Sequence, residues 1–89
     1  MTPYRIRLTP PARRAIERDL PEKVAAAAVE FVYGALAENP HRVGKPLRGP
    51  LAPRYAARRG DYRVIYRLDD ARLVVEITSI LHRRDVYRT

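Results

Sequence analysis

Arg58 to Arg67 read RRGDYRVIYR, a pattern that predicts a tight turn opening a half-buried β-strand. Apolar side chains recur at every second position from Tyr62 to Leu68, the period that a pleated strand imposes, and Arg63 and Arg67 fall between them. One face of the strand is therefore predicted to join the core, while the other carries two guanidinium groups. Such arginines are suited to hold phosphate, because the planar guanidinium stays charged and binds in bidentate fashion.

The residues before this strand predict one further strand and two helices. Apolar and basic side chains alternate over residues 3–8, which predicts a first strand. Thr9 is a suitable N-cap and proline fits a first helical turn, so a helix is predicted over residues 10–19. The Leu20-Pro21 step ends it, and apolar side chains at helical spacing predict a second helix over residues 21–38.

The rest of the chain predicts a loop followed by three strands. Residues 40–53 hold four of the eight prolines and two of the four glycines, which indicates a loop with little regular structure. Strands are predicted at residues 53–58 and 72–80, with Leu73, Val75 and Ile77 of the last strand facing the core. The order β-α-α-β-β-β predicts one α+β domain over residues 1–89. A two-helix hairpin covers one face of a mainly antiparallel sheet and leaves the other face open.

The composition favours an anionic partner. The net charge is +8, and residues 41–89 carry 12 basic against 5 acidic side chains, whereas residues 1–40 carry 6 against 5. A nucleic acid or an acidic protein segment fits this asymmetry, and a merely solubilising basic surface is the alternative. The absence of cysteine excludes thiolate metal sites and cysteine nucleophiles. No apolar run is long enough to span a membrane and no signal-peptide pattern is present, which predicts a cytoplasmic protein.

Three motifs carry a resemblance to a known family: KPLRG at residues 45–49, RGDYRVIY at residues 59–66 and HRRDVY at residues 82–87. With the predicted element order, the chain resembles the RelE branch of the RelE/ParE toxin superfamily. The resemblance implies a RelE-like fold and a small bacterial toxin neutralised by a cognate RelB-like antitoxin, which also links it indirectly to operator DNA. Toxins of the RelE branch cleave mRNA in the ribosomal A site, and those of the ParE branch poison DNA gyrase.

The resemblance also implies roles for individual residues in a metal-independent, cofactor-independent cleavage of RNA. Arg63 looks like the arginine that stabilises the phosphorane, Arg83 like a second arginine near the leaving group, and Tyr87 like the residue that orients a base. His82 is a candidate for proton transfer, because its unperturbed pKa lies near neutrality. The predicted RNA contacts are Arg48, Arg58, Arg59 and Arg67.

Each role has an alternative. Arg63 is either a functional group or a solvated strand residue paired with Glu76, and His82 is either a proton donor or a structural histidine. Tyr87 either serves the site or packs against the domain. Ala56 stands where some RelE-type enzymes have a basic residue, which puts the source of proton transfer in doubt. The alternative functions are a ParE-like gyrase inhibitor without nuclease activity and a degenerate toxin retained for operator control.

Overall fold

The fold is seen in a computed structural model that describes residues 3–83. Two π-helical turns, at Ala15–Asp19 and Val32–Leu36, each directly follow an α-helix. A 3-10 turn lies at Gly49–Leu51. In chain order, the elements are β1 Arg5–Leu8, α1 Pro10–Arg14, α2 Glu22–Phe31, α3 Pro40–Val43, β2 Lys45–Pro46, β3 Tyr55–Arg59, β4 Tyr62–Asp69 and β5 Val74–His82.

The strands form one five-stranded mixed sheet in the order β1-β5-β4-β3-β2. Strand β1 is parallel to β5, and the other neighbouring pairs are antiparallel. The two long helices pack on one face of this sheet, so the predicted α+β class and its mainly antiparallel sheet are confirmed.

The helices begin and end as their local sequence predicts. The hydroxyl of Thr9 accepts a hydrogen bond from the Ala12 amide at 3.4 Å, which satisfies an amide in the first turn of α1. Leu20 has an extended backbone that separates α1 from α2. Small buried side chains of both helices, including Ala12 and Ala28, let them lie close to the large core side chains of β4 and β5. Within residues 3–83, no helix has the length and apolar character needed to cross a bilayer.

Two expectations about local structure were wrong. The segment 40–53 is not a plain loop, because it contains α3, β2 and the 3-10 turn. Strand β2 has only two residues, which is too short to show an alternating pattern in the sequence. Pro46 is tolerated in it because β2 lies at the edge of the sheet. Leu73 does not face the core either. It lies in the β4–β5 turn with φ of 54° and is 37% exposed, so β5 begins at Val74 rather than at residue 72.

A β-bulge in β5 determines which side chains reach the open face of the sheet. Ile65 pairs with Ser79 while Tyr66 pairs with Ile77, so Thr78 is the extra residue. Its hydroxyl donates a hydrogen bond to the Ile65 carbonyl at 3.1 Å. Val75 and Ile77 are buried before the bulge and Ile80 after it, which puts Ser79 and Leu81 on the open face.

Candidate functional site

A cleft of about 450 Å³ lies at one end of the open face, where the β3–β4 turn meets the end of β5. Arg58 and Arg63 form a cross-strand pair, and Leu81 lies opposite Arg63 on the other side. Opposed residues of antiparallel strands point to the same face, so the register alone brings these three side chains together. The lining residues are Arg58, Gly60, Asp61, Tyr62, Arg63, Leu81 and Arg83.

The turn at Gly60-Asp61 closes the cleft. Gly60 adopts φ of 52°, a conformation that glycine enters without the penalty a side chain would impose. The Arg83 amide donates a hydrogen bond to the Asp61 carbonyl at 2.6 Å, and its guanidinium lies 4.0 Å from the Asp61 carboxylate. These contacts attach the end of β5 to the turn and bring a third arginine to the cleft.

The electrostatics of the cleft are suited to an anion. Three guanidinium groups face one carboxylate, and like charges held opposite each other on neighbouring strands repel. Within residues 3–83, no carboxylate lies within ion-pair distance of Arg58 or Arg63. A bound phosphate would offset this repulsion and accept hydrogen bonds from the planar groups. Among residues 3–83, no three His, Asp or Glu side chains lie close enough together to hold a metal ion.

The structure brings three of the predicted site residues into the cleft, namely Arg58, Arg63 and Arg83. Four others lie elsewhere or at a distance along the sheet. Arg67 shares the open face but pairs with Glu76, four residues beyond Arg63 along β4. Arg48 is exposed beside the 3-10 turn and is not part of the cleft lining.

Arg59 and His82 belong to the other face of the sheet by their register. Both pair with Tyr62, whose ring is buried against the helices. The guanidinium carbon of Arg59 lies 4.6 Å from the centre of the Phe31 ring, a cation–π contact with α2. Tyr87 lies outside the described residues.

A second constellation joins α3 to the opposite end of the sheet. The Tyr4 hydroxyl donates a hydrogen bond to the Asp70 carboxylate at 2.6 Å, and the His41 Nε2 atom lies 2.7 Å from the same oxygen. Hydrogen bonds from Tyr4 and His41 hold the pKa of Asp70 below its ordinary value, and the same Asp70 bond raises the pKa of Tyr4. The edge of the His41 ring meets Tyr55, which stacks on Tyr66 at 5.6 Å. Because these rings fix α3 against the sheet, we assign the cluster to structure.

Sequence reasoning missed the residues that extend the open face beside the cleft. Leu47, Leu51 and Arg54 from the segment after β2 line one cavity together with Ser79 and Leu81 of β5. Lys45 also lies on this side, in register with Ala56. Leu47 and Leu51 could have been noticed in the sequence, because two apolar side chains in a proline-rich loop need a surface to pack on. The β5 residues could not, because the face that each of them occupies depends on the bulge.

Fold and cleft together define a small basic domain whose open sheet face is suited to an anionic ligand. A family model for the ParE toxin of the type II toxin-antitoxin system, parDE, matches residues 6–87. Toxin RelE of Mycobacterium tuberculosis is 55% identical over 86 residues, which cover 97% of this chain and 88% of that protein. Toxin RelG of the same organism is 50% identical over 86 residues, covering 97% and 98% respectively.

The structural comparison agrees with the sequence comparison. The crystal structure of the RelBE2 toxin–antitoxin complex from Mycobacterium tuberculosis contains a chain that superposes with a TM-score of 0.89 at 49% identity, over 96% of this chain and 97% of that one. The chain therefore belongs to the RelE/ParE toxin superfamily.

Proposed function

We propose that the protein is the toxin of a type II toxin–antitoxin system and cleaves mRNA in the ribosomal A site. The observation that carries the proposal is the cleft in which Arg58, Arg63 and Arg83 converge. Its position on an open sheet face leaves room for an RNA strand, and the similarity to Toxin RelE supports the RelE branch.

The reaction is an internal transfer at phosphorus. The ribose 2′-oxygen attacks the adjacent phosphorus while the bond to the 5′-oxygen breaks, which leaves a 2′,3′-cyclic phosphate and a 5′-hydroxyl. Negative charge builds on the two equatorial oxygens of the phosphorane, and guanidinium groups already in place stabilise it without reorganisation. Arg63, between Arg58 and Leu81, is the proposed central contact to these oxygens, and Arg83 the contact nearer the leaving group.

Proton transfer needs a different group. The 2′-hydroxyl loses a proton and the 5′-oxygen gains one, but arginine stays charged with a pKa above about 12 and exchanges protons poorly. Ala56 supplies no such group, and the register of His82 with Tyr62 weakens its candidacy. His82 and Tyr87 are the two proposed candidates for this role.

The proposed protein partner is an acidic, RelB-like antitoxin. The relative in the RelBE2 structure is part of a toxin–antitoxin complex, and the net charge of +8 favours an acidic binding segment. Binding of operator DNA would then come through the antitoxin.

The test is cleavage of mRNA by purified toxin in a translation reaction, with the cut sites mapped by primer extension. Arg63→Ala should lower the cleavage rate by about 10²-fold or more, because it removes charge where the phosphorane forms. Arg18→Ala, exposed in the π-helical turn after α1, removes the same charge outside the cleft lining and should leave the rate unchanged. Binding of the antitoxin by both variants checks that they are folded. A fully active Arg63→Ala variant would show that the site is wrong.

A gyrase inhibitor is the second candidate, because the matching family model is the ParE toxin. It predicts intact mRNA in the assay above together with inhibition of DNA supercoiling by purified gyrase. Ribosome-dependent cuts with unaffected supercoiling exclude it.

A further inference from the structure

A second groove, of about 380 Å³, lies on the open face beside the arginine cleft. Leu47 and Leu51 form one wall, and Ile65 and Leu81 form much of the other. Leu51 is 51% exposed and Leu81 36% exposed, so the groove presents apolar surface to solvent. We refer to it as the leucine groove.

The two cavities are neighbours on the open face, because Arg63 and Leu81 line both. A ligand whose anionic group contacts Arg63 in the cleft therefore has its neighbouring atoms at the mouth of the leucine groove. The best match is a molecule that carries an anion a short linker away from a flat ring. A nucleotide has this chemistry, since its phosphate and base are one sugar apart.

Polar groups in the groove favour a base over an aliphatic side chain. The Ser79 hydroxyl makes no hydrogen bond to any other residue in the range 3–83, and Arg54 has no carboxylate within ion-pair distance in that range. An aliphatic side chain would cover both groups without satisfying them, which costs free energy. The edge of a base carries donors and acceptors that replace the lost water.

We propose that the leucine groove is a nucleobase subsite, which binds a base of the nucleotides flanking the cleaved phosphate. Leu47 and Leu51 contact the face of the base, and Ser79 contacts its edge and contributes to base preference. The inference rests on the proposed nuclease function. It adds a source of sequence preference that the arginines lack, because phosphate contacts position a nucleic acid without reading its sequence.

The bulge at Thr78 makes this subsite possible. Without the extra residue, strict alternation from Ile77 would turn Ser79 toward the helices and bring Ile80 to the open face. The bulge instead puts the Ser79 hydroxyl and the Leu81 side chain on the open face, opposite Ile65 and Arg63 respectively. The bulge thus determines which β5 side chains line the groove, including Leu81, which also lines the cleft.

The test compares Leu51→Ala and Ser79→Ala with the unmodified toxin in ribosome-dependent cleavage of an mRNA that presents every base at the cut. Leu51→Ala should lower cleavage efficiency by about 5-fold or more, because apolar contact with the face of the base is lost. Ser79→Ala should change the ratio between the best and worst bases by about 2-fold to 10-fold, since one hydrogen bond is removed. Leu73→Ala removes a comparably exposed leucine from the far β4–β5 turn and should change neither quantity.

The outcomes separate the subsite from the function on which it rests. If the unmodified toxin cuts mRNA but both variants match it in rate and base preference, the subsite is wrong and the nuclease stands. If the variants cut normally and instead lose affinity for the antitoxin, the groove binds a protein segment and the inference is overturned. An unmodified toxin that cuts no mRNA rejects the nuclease and the subsite together.

Discussion

Tyr66 shows how a single side chain ties the sheet to the segment after the helices. Its ring is fully buried, and its hydroxyl donates a hydrogen bond to the Pro40 carbonyl at 2.6 Å. Burial raises the pKa of Tyr66 to about 12, so the hydroxyl remains a donor throughout the physiological range. A Cβ atom added at Gly44 would clash with this hydroxyl and lie 3.0 Å from the Ala56 carbonyl oxygen. Position 44 therefore requires glycine, because the Tyr66 hydroxyl and the Ala56 carbonyl approach it too closely for a side chain.

Gly44→Ala is expected to destabilise the protein by about 1–3 kcal/mol, the usual cost of overpacking. In a Tyr66→Phe background the added cost should be smaller, because one of the clashing atoms is gone. Gly34→Ala is the control: a Cβ there has nothing within 4 Å, and alanine favours the helix by about 1 kcal/mol. Urea unfolding of the four variants measures these differences. Equal effects at Gly44 and Gly34 would contradict the packing argument.

The alternation of apolar and basic residues in β4 predicted part of the site. Tyr62 and Tyr66 were predicted to be core residues, and their burial confirms it. The pairing of Arg58 with Arg63 follows from a two-residue turn at Gly60-Asp61, which fixes the register of both strands. The sequence does not indicate that Arg59 stacks on Phe31, because that contact depends on how α2 crosses the sheet.

At the scale of elements, the limits of prediction lie where strands depart from regular pairing. A bulge changes which face each later residue of β5 occupies, and its position depends on the fit to β4 rather than on the sequence of β5 alone. Ser79 and Leu81 could therefore not be assigned to the open face by counting. The four-residue helix α3 was also missed, and it is fixed by tertiary contacts of His41 and Pro40 rather than by local periodicity.

The contacts that fix α3 predict a pH dependence of stability. The folded-state pKa of Asp70 is lowered by hydrogen bonds from Tyr4 and His41. The stability this group contributes is thus fully present above its unfolded pKa, near 3.8, and is lost as pH falls through the lower folded value. Asp70→Asn should lower the Tm at pH 7, and its difference from the unmodified protein should shrink below about pH 4. Tyr4→Phe removes the main cause and should show a smaller change in the same direction. Thermal unfolding across pH measures both, and a difference that stays constant with pH would contradict the assignment.

At the scale of the whole molecule, the helices and the charge are on opposite sides of one sheet. The helices bury one face, and the open face retains arginines from β3 and β4 together with Arg5 and Arg7 of β1. The overall architecture was predictable because each element had its own periodicity and the order of elements limits the possible sheets. The charge asymmetry was also predictable, because the basic second half of the chain forms β3 to β5.

This charge distribution predicts salt-dependent association with the proposed acidic antitoxin. The Debye length falls from about 10 Å at 0.1 M salt to about 3 Å at 1 M, so long-range attraction is screened. The association rate constant should fall by about 10-fold or more between these concentrations, while the dissociation rate constant changes less.

Replacing Arg58 and Arg63 with glutamine should flatten the salt dependence of the association rate constant. Replacing Arg13 and Arg14, which lie on α1, removes the same charge and should flatten it less. Stopped-flow measurements across salt concentrations provide the comparison. Equal slopes for the two double variants would show that net charge, rather than the arginines of the open face, guides the antitoxin.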